Sequence, residues 1–136
     1  MNLTIEQERA QHALRQIHDL QDRCRDWQDH YKSYVKGLPA AILSNGLGQA
    51  LATLLSAAKG QQQDAHYVLY QHIEKWLGRS DPLAPYPGAP NVIKAITSHD
   101  STAYRAAQME AMAYLVWLKK FAAAYLLGAE EEDDVK

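Results

Sequence analysis

Four aspartates, Asp19, Asp22, Asp26 and Asp29, recur at three- and four-residue spacing, which on a helix would bring their carboxylates to one face. Such a cluster can hold the divalent metal of a hydrolytic nuclease. Arg15, Arg23, Arg25, His30 and Lys32 lie within a turn of the same positions and neutralise those carboxylates as ordinary intrahelical pairs, so a salt-bridged, solvated face is expected rather than a metal site. The six histidines, His12, His18, His30, His66, His72 and His99, show no His-Glu-x-x-His or comparable ligand spacing. Ser98, His99, Asp100 and Ser101 supply the residue types of a hydrolase triad. Neighbours on one loop cannot converge as a nucleophile and its base must, and Asp100 or Ser101 as the N-cap of a helix fits the pattern better. Gly46 and Gly48 lack the Lys-Ser/Thr follow-up and the preceding strand of a phosphate-binding loop.

One catalytic pattern remains. Helical RNases of the HEPN type carry an Arg followed, after four to six residues, by a His; here His30 follows Arg25 after four residues and Arg23 after six. Six arginines and six histidines in 136 residues make such a spacing expected about once by chance, and the apolar surroundings of such a site are absent from this charged string. The remaining chemistry is binding. Arg23, Arg25, Lys32 and Lys36 line the second half of a first helical segment, Lys119 and Lys120 lie on the last one, and Arg105 sits near its start. These cations are candidate contacts for an RNA backbone, although a lysine at a helix C-terminus, as Lys36 is expected to be, also benefits from the helix dipole. Asn45, beside Gly46, is a candidate interface or RNA contact with a local hydrogen bond as its simpler reading.

Helices must position these groups, because apolar residues recur at helical spacing and sustained alternation is absent. The first helix starts at Thr4, with Gln7 completing a capping box, and its stripe of Ala10, Ala13, Leu14, Ile17, Leu20, Cys24, Trp27, Tyr31, Tyr34 and Val35 implies about 30 continuous residues. Gly37 is expected to end it, and Pro39 to open a second helix running to about Ala58. That second helix carries Asn45, Gly46 and Gly48 mid-course, where each Gly costs about 1 kcal/mol relative to Ala, so close approach of another backbone is expected there. A third helix spans about residues 62–77, a Pro-rich connection residues 79–90, a short helix residues 91–97, and a long final helix runs from Asp100 or Ser101 to Gly128. The last is apolar around much of its girth, so it is either central to the fold or covered by a partner. The expected fold is all-α, one helical bundle of about five helices with long first and last members over residues 1–128.

A chain of 136 residues that is 47% hydrophobic is large enough to bury its own core. No apolar run reaches 18 residues and the N-terminus lacks a signal-peptide core, so a cytoplasmic protein with no membrane span is expected. The lone Cys24 excludes an internal disulfide and is expected to pack on the apolar face of the first helix. A net charge of −2 argues against a strongly basic RNA-binding domain, but its distribution is uneven. Residues 129–136 form an acidic C-terminal tail of net −4, leaving a body of 13 Lys and Arg against 11 Asp and Glu, net +2. The tail is expected to be a solvated end that can repel stray nucleic acid.

Residues 31–54, YKSYVKGLPAAILSNGLGQALATL, resemble the small α-helical subunit of type III-B (Cmr) CRISPR effector complexes, whose members carry a Lys-x-Leu-Pro stretch followed by Asn-Gly-Leu-Gly-Gln-Ala-Leu. A second block agrees with that family's final helix: Tyr104, Glu110, Ala111, Tyr114, Leu115, Trp117, Leu118, Lys119, Phe121 and Ala122. The resemblance covers about a third of the chain. It implies a non-catalytic structural subunit without cofactor, stacked head to tail with further copies of itself, beside other CRISPR effector subunits and in contact with crRNA and target RNA. The small subunit of the related type III-A complex and a HEPN-type RNase are the alternatives. A helical adaptor outside CRISPR systems is the plainest one.

Overall fold

The computed structural model describes residues 2–129; the acidic residues 130–136 lie outside them. Among the described residues every regular element is a helix, and there are six rather than about five. They are α1 (Ile5–His18), α2 (Arg25–Asn45), α3 (Leu47–Ala58), α4 (Ala65–Leu77), α5 (Val92–Ser98) and α6 (Ser101–Tyr125). The long α6 is central, packing against α1, α2, α3 and α4. Its inner face buries Ala107, Ala111, Tyr114, Leu115, Leu118 and Ala122, while Met109 and Val116 look outward.

The expected first helix is two helices. Thr4 caps α1 with the reciprocal Gln7 bonds of a capping box. After His18 the chain tightens through Leu20 N–H to Ile17 O (3.0 Å) and Gln21 N–H to His18 O (3.2 Å) before α2 begins. The apolar stripe masks this break because Leu20 remains buried within the turn. What holds the turn is Gln28, a buried amide whose Nε2 donates to Gln21 O (3.2 Å) and Arg23 O (2.7 Å). Asp19 and Asp22 fall in this turn, so the expected run of intrahelical pairs is interrupted there. Cys24 is not packed: it is the exposed N-cap residue of α2.

The expected break at Gly37 and Pro39 is absent, and α2 runs through both. Gly37 lies on an exposed face with open space around it, and Pro39 removes one helical donor. Against that loss the helix buries Val35, Leu38 and Ile42 in an unbroken stripe, each side chain contributing about 1.5–3 kcal/mol. The chain breaks instead at Gly46, whose φ of 89° lies in the left-handed region that favours glycine. There the N-terminus of α3 is capped from α6: Leu47 N–H donates to Gln108 Oε1 (2.9 Å) and Gly48 N–H to Tyr104 Oη (2.9 Å). The close approach expected at these glycines therefore comes from the Tyr104 side chain rather than from a backbone.

The remaining boundaries follow local chemistry. Asp64 caps α4, Asn91 caps α5 and Asp100 caps α6, accepting from Ala103 N–H (3.0 Å). Residues 79–90 are not a loose linker. Tyr86 is buried, its N–H donates to Leu77 O (3.1 Å), and Ala89 O would lie 2.6 Å from a Cβ placed on Gly78. The final helix stops at Tyr125, three residues before the expected Gly128, and the chain continues along α2 toward the N-terminus of that helix.

Candidate nucleic-acid interface

The sequence arranges Asp29, Lys32, Ser33 and Lys36 at i, i+3, i+4 and i+7, one face of α2. The chain pairing Lys32 with Leu126 and Gly46 with Tyr104 sets α2 antiparallel to α6. That pairing lays the α2 face opposite Lys119, Lys120, Ala122 and Ala123. Together with Ala129 these residues line an open groove of about 610 Å³. The small Ala122 and Ala123 keep its floor low, and its four lysines stand on both walls. Among the described residues Asp29 is the one acid in the lining.

Four of the eight candidate residues thus converge: Lys32, Lys36, Lys119 and Lys120. Lys36, Lys119 and Lys120 are exposed, and Lys32 is half-buried with its Nζ donating to Leu126 O (3.3 Å). Lys36 lies in the middle of α2 rather than at its C-terminus, so the helix-dipole benefit expected for it does not operate. Arg25 sits on the same face of α2, one turn before Asp29, but is not among the lining residues; it donates to Gly128 O (3.1 Å). Arg23 stacks over the Trp27 ring at 4.3 Å and reaches Gln63 O (3.4 Å), bracing the α3–α4 turn. Asn45 ends α2 in a separate, smaller groove with Tyr34 and His66, and Arg105 is exposed at the first turns of α6. These last two residues are outside the lysine groove.

Sequence reasoning missed the strut that fixes this groove. Besides holding the α1–α2 turn, Gln28 accepts Leu127 N–H through Oε1 (2.8 Å). With the Lys32 and Arg25 bonds, three successive residues after α6 are fastened to α2. A polar residue in the otherwise apolar stripe between Trp27 and Tyr31 was the available signal.

The catalytic patterns come apart in space. Arg25 and His30 are five positions apart on one helix, about 140° around its axis. The Arg25 guanidinium turns to Gly128 O, and the His30 ring stacks with Tyr34 at 6.1 Å. His99 Nδ1 bonds to Ala95 O (2.9 Å) and Asp100 is a cap, so the 98–101 string closes α5 and opens α6. Among the described residues no group of three or more His, Cys, Asp or Glu could hold a metal ion.

Most of the remaining polar chemistry is structural. Arg9 forms a two-pronged pair with Glu110 (2.5 and 3.0 Å), and Trp76 Nε1–H donates to the same carboxylate (2.9 Å). Burial alone would raise the Glu110 pKa, but the Arg9 and Trp76 bonds outweigh it and hold the carboxyl below its usual range. His12 Nδ1 bonds Tyr114 Oη and His72 Nδ1 bonds Tyr31 Oη, each at 2.6 Å. Burial, then nearby cations, pushes His12 down to about 4; burial, then Lys75, pushes His72 down to about 3. Both rings, His72 buried and His12 half-buried, are therefore neutral at physiological pH.

Among the described residues no helix is long and apolar enough to cross a membrane. The chain matches the family described as CRISPR-associated protein (Cas_Cmr5) over residues 5–125, from the first residue of α1 to the last of α6. It belongs to that family, and the resemblance to Cmr-type small subunits of type III-B CRISPR complexes, read from the two motif blocks, is borne out.

Proposed function

We propose that this member of the Cas_Cmr5 family is a non-catalytic structural subunit of a type III-B CRISPR interference complex. Its copies stack head to tail beside the other effector subunits in the cytoplasm, and the groove between α2 and α6 holds the phosphate backbone of crRNA or target RNA. The observation that carries the RNA assignment is the convergence of Lys32, Lys36, Lys119 and Lys120 from two helices onto one open groove. Ammonium groups on flexible stems serve as point charges for phosphate, and among the described residues no aromatic side chain or side-chain amide lines the groove to read a base. Such a surface is indifferent to sequence, as suits a complex in which guide pairing carries the specificity.

The test is charge reversal at the three exposed lysines, K36E, K119E and K120E together, in the reconstituted complex. Assembly should be retained while RNA affinity falls roughly tenfold or more at about 100 mM salt. Unchanged RNA affinity in an assembled complex would remove the groove from the RNA path. Sequencing of RNA co-purified with the tagged protein from its own cells tests the wider assignment: a repeat-spacer guide, accompanied by other effector subunits, is expected.

A further inference from the structure

The face of α2 that bears Lys32 and Lys36 continues past them. Ala40 and Leu43 follow Lys36 at helical spacing, and on α6 Val116, Met112 and Met109 precede Lys119 and Lys120 in the same way. The pairing that sets Lys32 beside Leu126 and Gly46 beside Tyr104 brings Leu43 opposite Met109, so the lysine groove runs on into an apolar strip between the same two helices. Leu43 is 73% exposed, Met109 74% and Val116 50%. Single exposed apolar side chains are ordinary, but three converging in the register of the lysines mark a contact surface. A two-fold contact centred on the strip would lay Lys120 of each copy over Arg105 of the other, and like charges oppose it. The complement must be a different surface, apolar and acidic together. The other large apolar side chains exposed among the described residues are Leu3, Ile5, Leu83, Tyr125 and Leu127. Glu6, beside Ile5, is taken by Trp117 and Arg9, and Asp81, near Leu83, by Arg79. Tyr125 and Leu127 stand beside free acids. Leu126 between them is extended and buried, so its two neighbours turn outward together. Gln21 Nε2 donates to Tyr125 O (3.3 Å) and the His18 ring lies 5.2 Å from the Tyr125 ring, which sets Tyr125 against the α1–α2 turn and its exposed Asp19 and Asp22. Neither aspartate forms an ion pair among the described residues.

We propose that the apolar strip is where the next copy of this chain rests its α1–α2 end, with Tyr125 and Leu127 of that copy seated against Leu43, Met109 and Val116. This names the contact for the head-to-tail stacking proposed above and rests on that reading. Asp19 and Asp22 arrive with the seated end and meet a face whose exposed charge is cationic, which favours this pairing over strip against strip. The contact is heterologous: each copy keeps one strip and one end open for further copies, so the row propagates. The Gln28 bond to Leu127 N–H fixes the seated segment beforehand and lessens the ordering that docking requires. A patch of five large side chains is small, and small interfaces hold weakly, so copies associate within the complex and separate outside it. One groove thus holds RNA on its lysines and a neighbouring copy on its strip.

The test uses the reconstituted complex and a full chain whose exposed native thiol is removed as Cys24→Ser. Met109→Cys and Leu127→Cys then put one thiol on each surface, and a short bis-maleimide joins thiols that lie together. Residues 109–125 of α6 alone span about 24 Å, so the reagent does not bridge the two positions within one chain. A ladder of linked copies on a denaturing gel is expected from the double variant, and single chains from Met109→Cys or Leu127→Cys alone. Native mass spectrometry counts the copies in each complex. Complexes that hold two or more copies and give no ladder overturn this surface and leave the stacking in place. Complexes that hold a single copy overturn the stacking and this contact with it. Linking by Met109→Cys alone shows a two-fold contact and overturns the proposal. Met109→Glu changes a position already in water, so the fold is retained, and it should weaken the association of copies roughly tenfold or more. An unchanged copy number for Met109→Glu at limiting protein concentration also overturns the proposal.

Discussion

Gly46 and Gly37 stand nine positions apart in one motif and do opposite work. At Gly46 the φ of 89° and the Tyr104 hydroxyl, 3.0 Å from where a Cβ would stand, leave no room for a side chain. Gly46→Ala is expected to lower stability by about 1–3 kcal/mol, read as a lower urea midpoint. Gly37 is helical and faces open space, so Gly37→Ala is expected to raise the midpoint by about 0.5–1 kcal/mol. A destabilising Gly37→Ala would place a neighbour against that face. The Asn-Gly-Leu-Gly string announced an exception in the sequence, because glycines accumulate where a side chain cannot fit. Its cause was not legible, since Tyr104 and Gln108 cap α3 from more than fifty residues away. The same holds for the second motif block. Glu110 pairs with Arg9, Tyr114 bonds His12, and Trp117 Nε1–H donates to Glu6 (2.7 Å), so its polar residues are chiefly fastenings of α6.

At the scale of elements, the helical class and the termini marked by caps were legible because caps are local chemistry. Thr4, Asn91 and Asp100 start helices where their side-chain oxygens predict. The α1–α2 break was hidden because Leu20 preserves the apolar period through the turn, and its stabilising bonds come from a single amide further along. Gln28→Leu keeps the volume roughly and deletes all three bonds. It is expected to cost about 1–3 kcal/mol and to expose residues 126–128 to faster amide exchange. Unaltered exchange there would show that Arg25 and Lys32 hold the segment unaided.

The buried histidines give α2 and α4 a pH dependence. In the folded chain His72 stays neutral down to about 3, while in the unfolded chain it takes up a proton near its ordinary 6.5. Below pH 6.5 the unfolded state therefore binds more protons, and stability falls as pH falls; above 6.5 the full contribution is present. Between pH 6.5 and 5 the loss from His72 alone is about 2 kcal/mol, at about 1.4 kcal/mol per pH unit. Urea unfolding at pH 7.5, 6 and 5 measures it, above the range where carboxylates dominate. A profile in His72→Leu as steep as that of the unchanged chain would assign the dependence elsewhere.

For the whole molecule, a net charge of −2 conceals a basic body behind an acidic run, and only their separation along the chain was legible. Sequence could place Lys32 and Lys36 on one helical face. It could not bring Lys119 and Lys120 across from them, because the antiparallel α2–α6 pairing is set by core residues such as Tyr31, Val35, Tyr114 and Leu118. That assembly makes a quantitative claim on RNA binding. Four lysines neutralising four phosphates of a single strand give a slope of log affinity against log salt of about −2.8, at about −0.7 per phosphate. K36E, K119E and K120E together should flatten the slope to about −0.7 or less, whereas charge reversal at Arg105, outside the groove, should leave it near −2.8. A slope lowered equally by Arg105 reversal would mean that RNA follows the outer face of α6 rather than the groove.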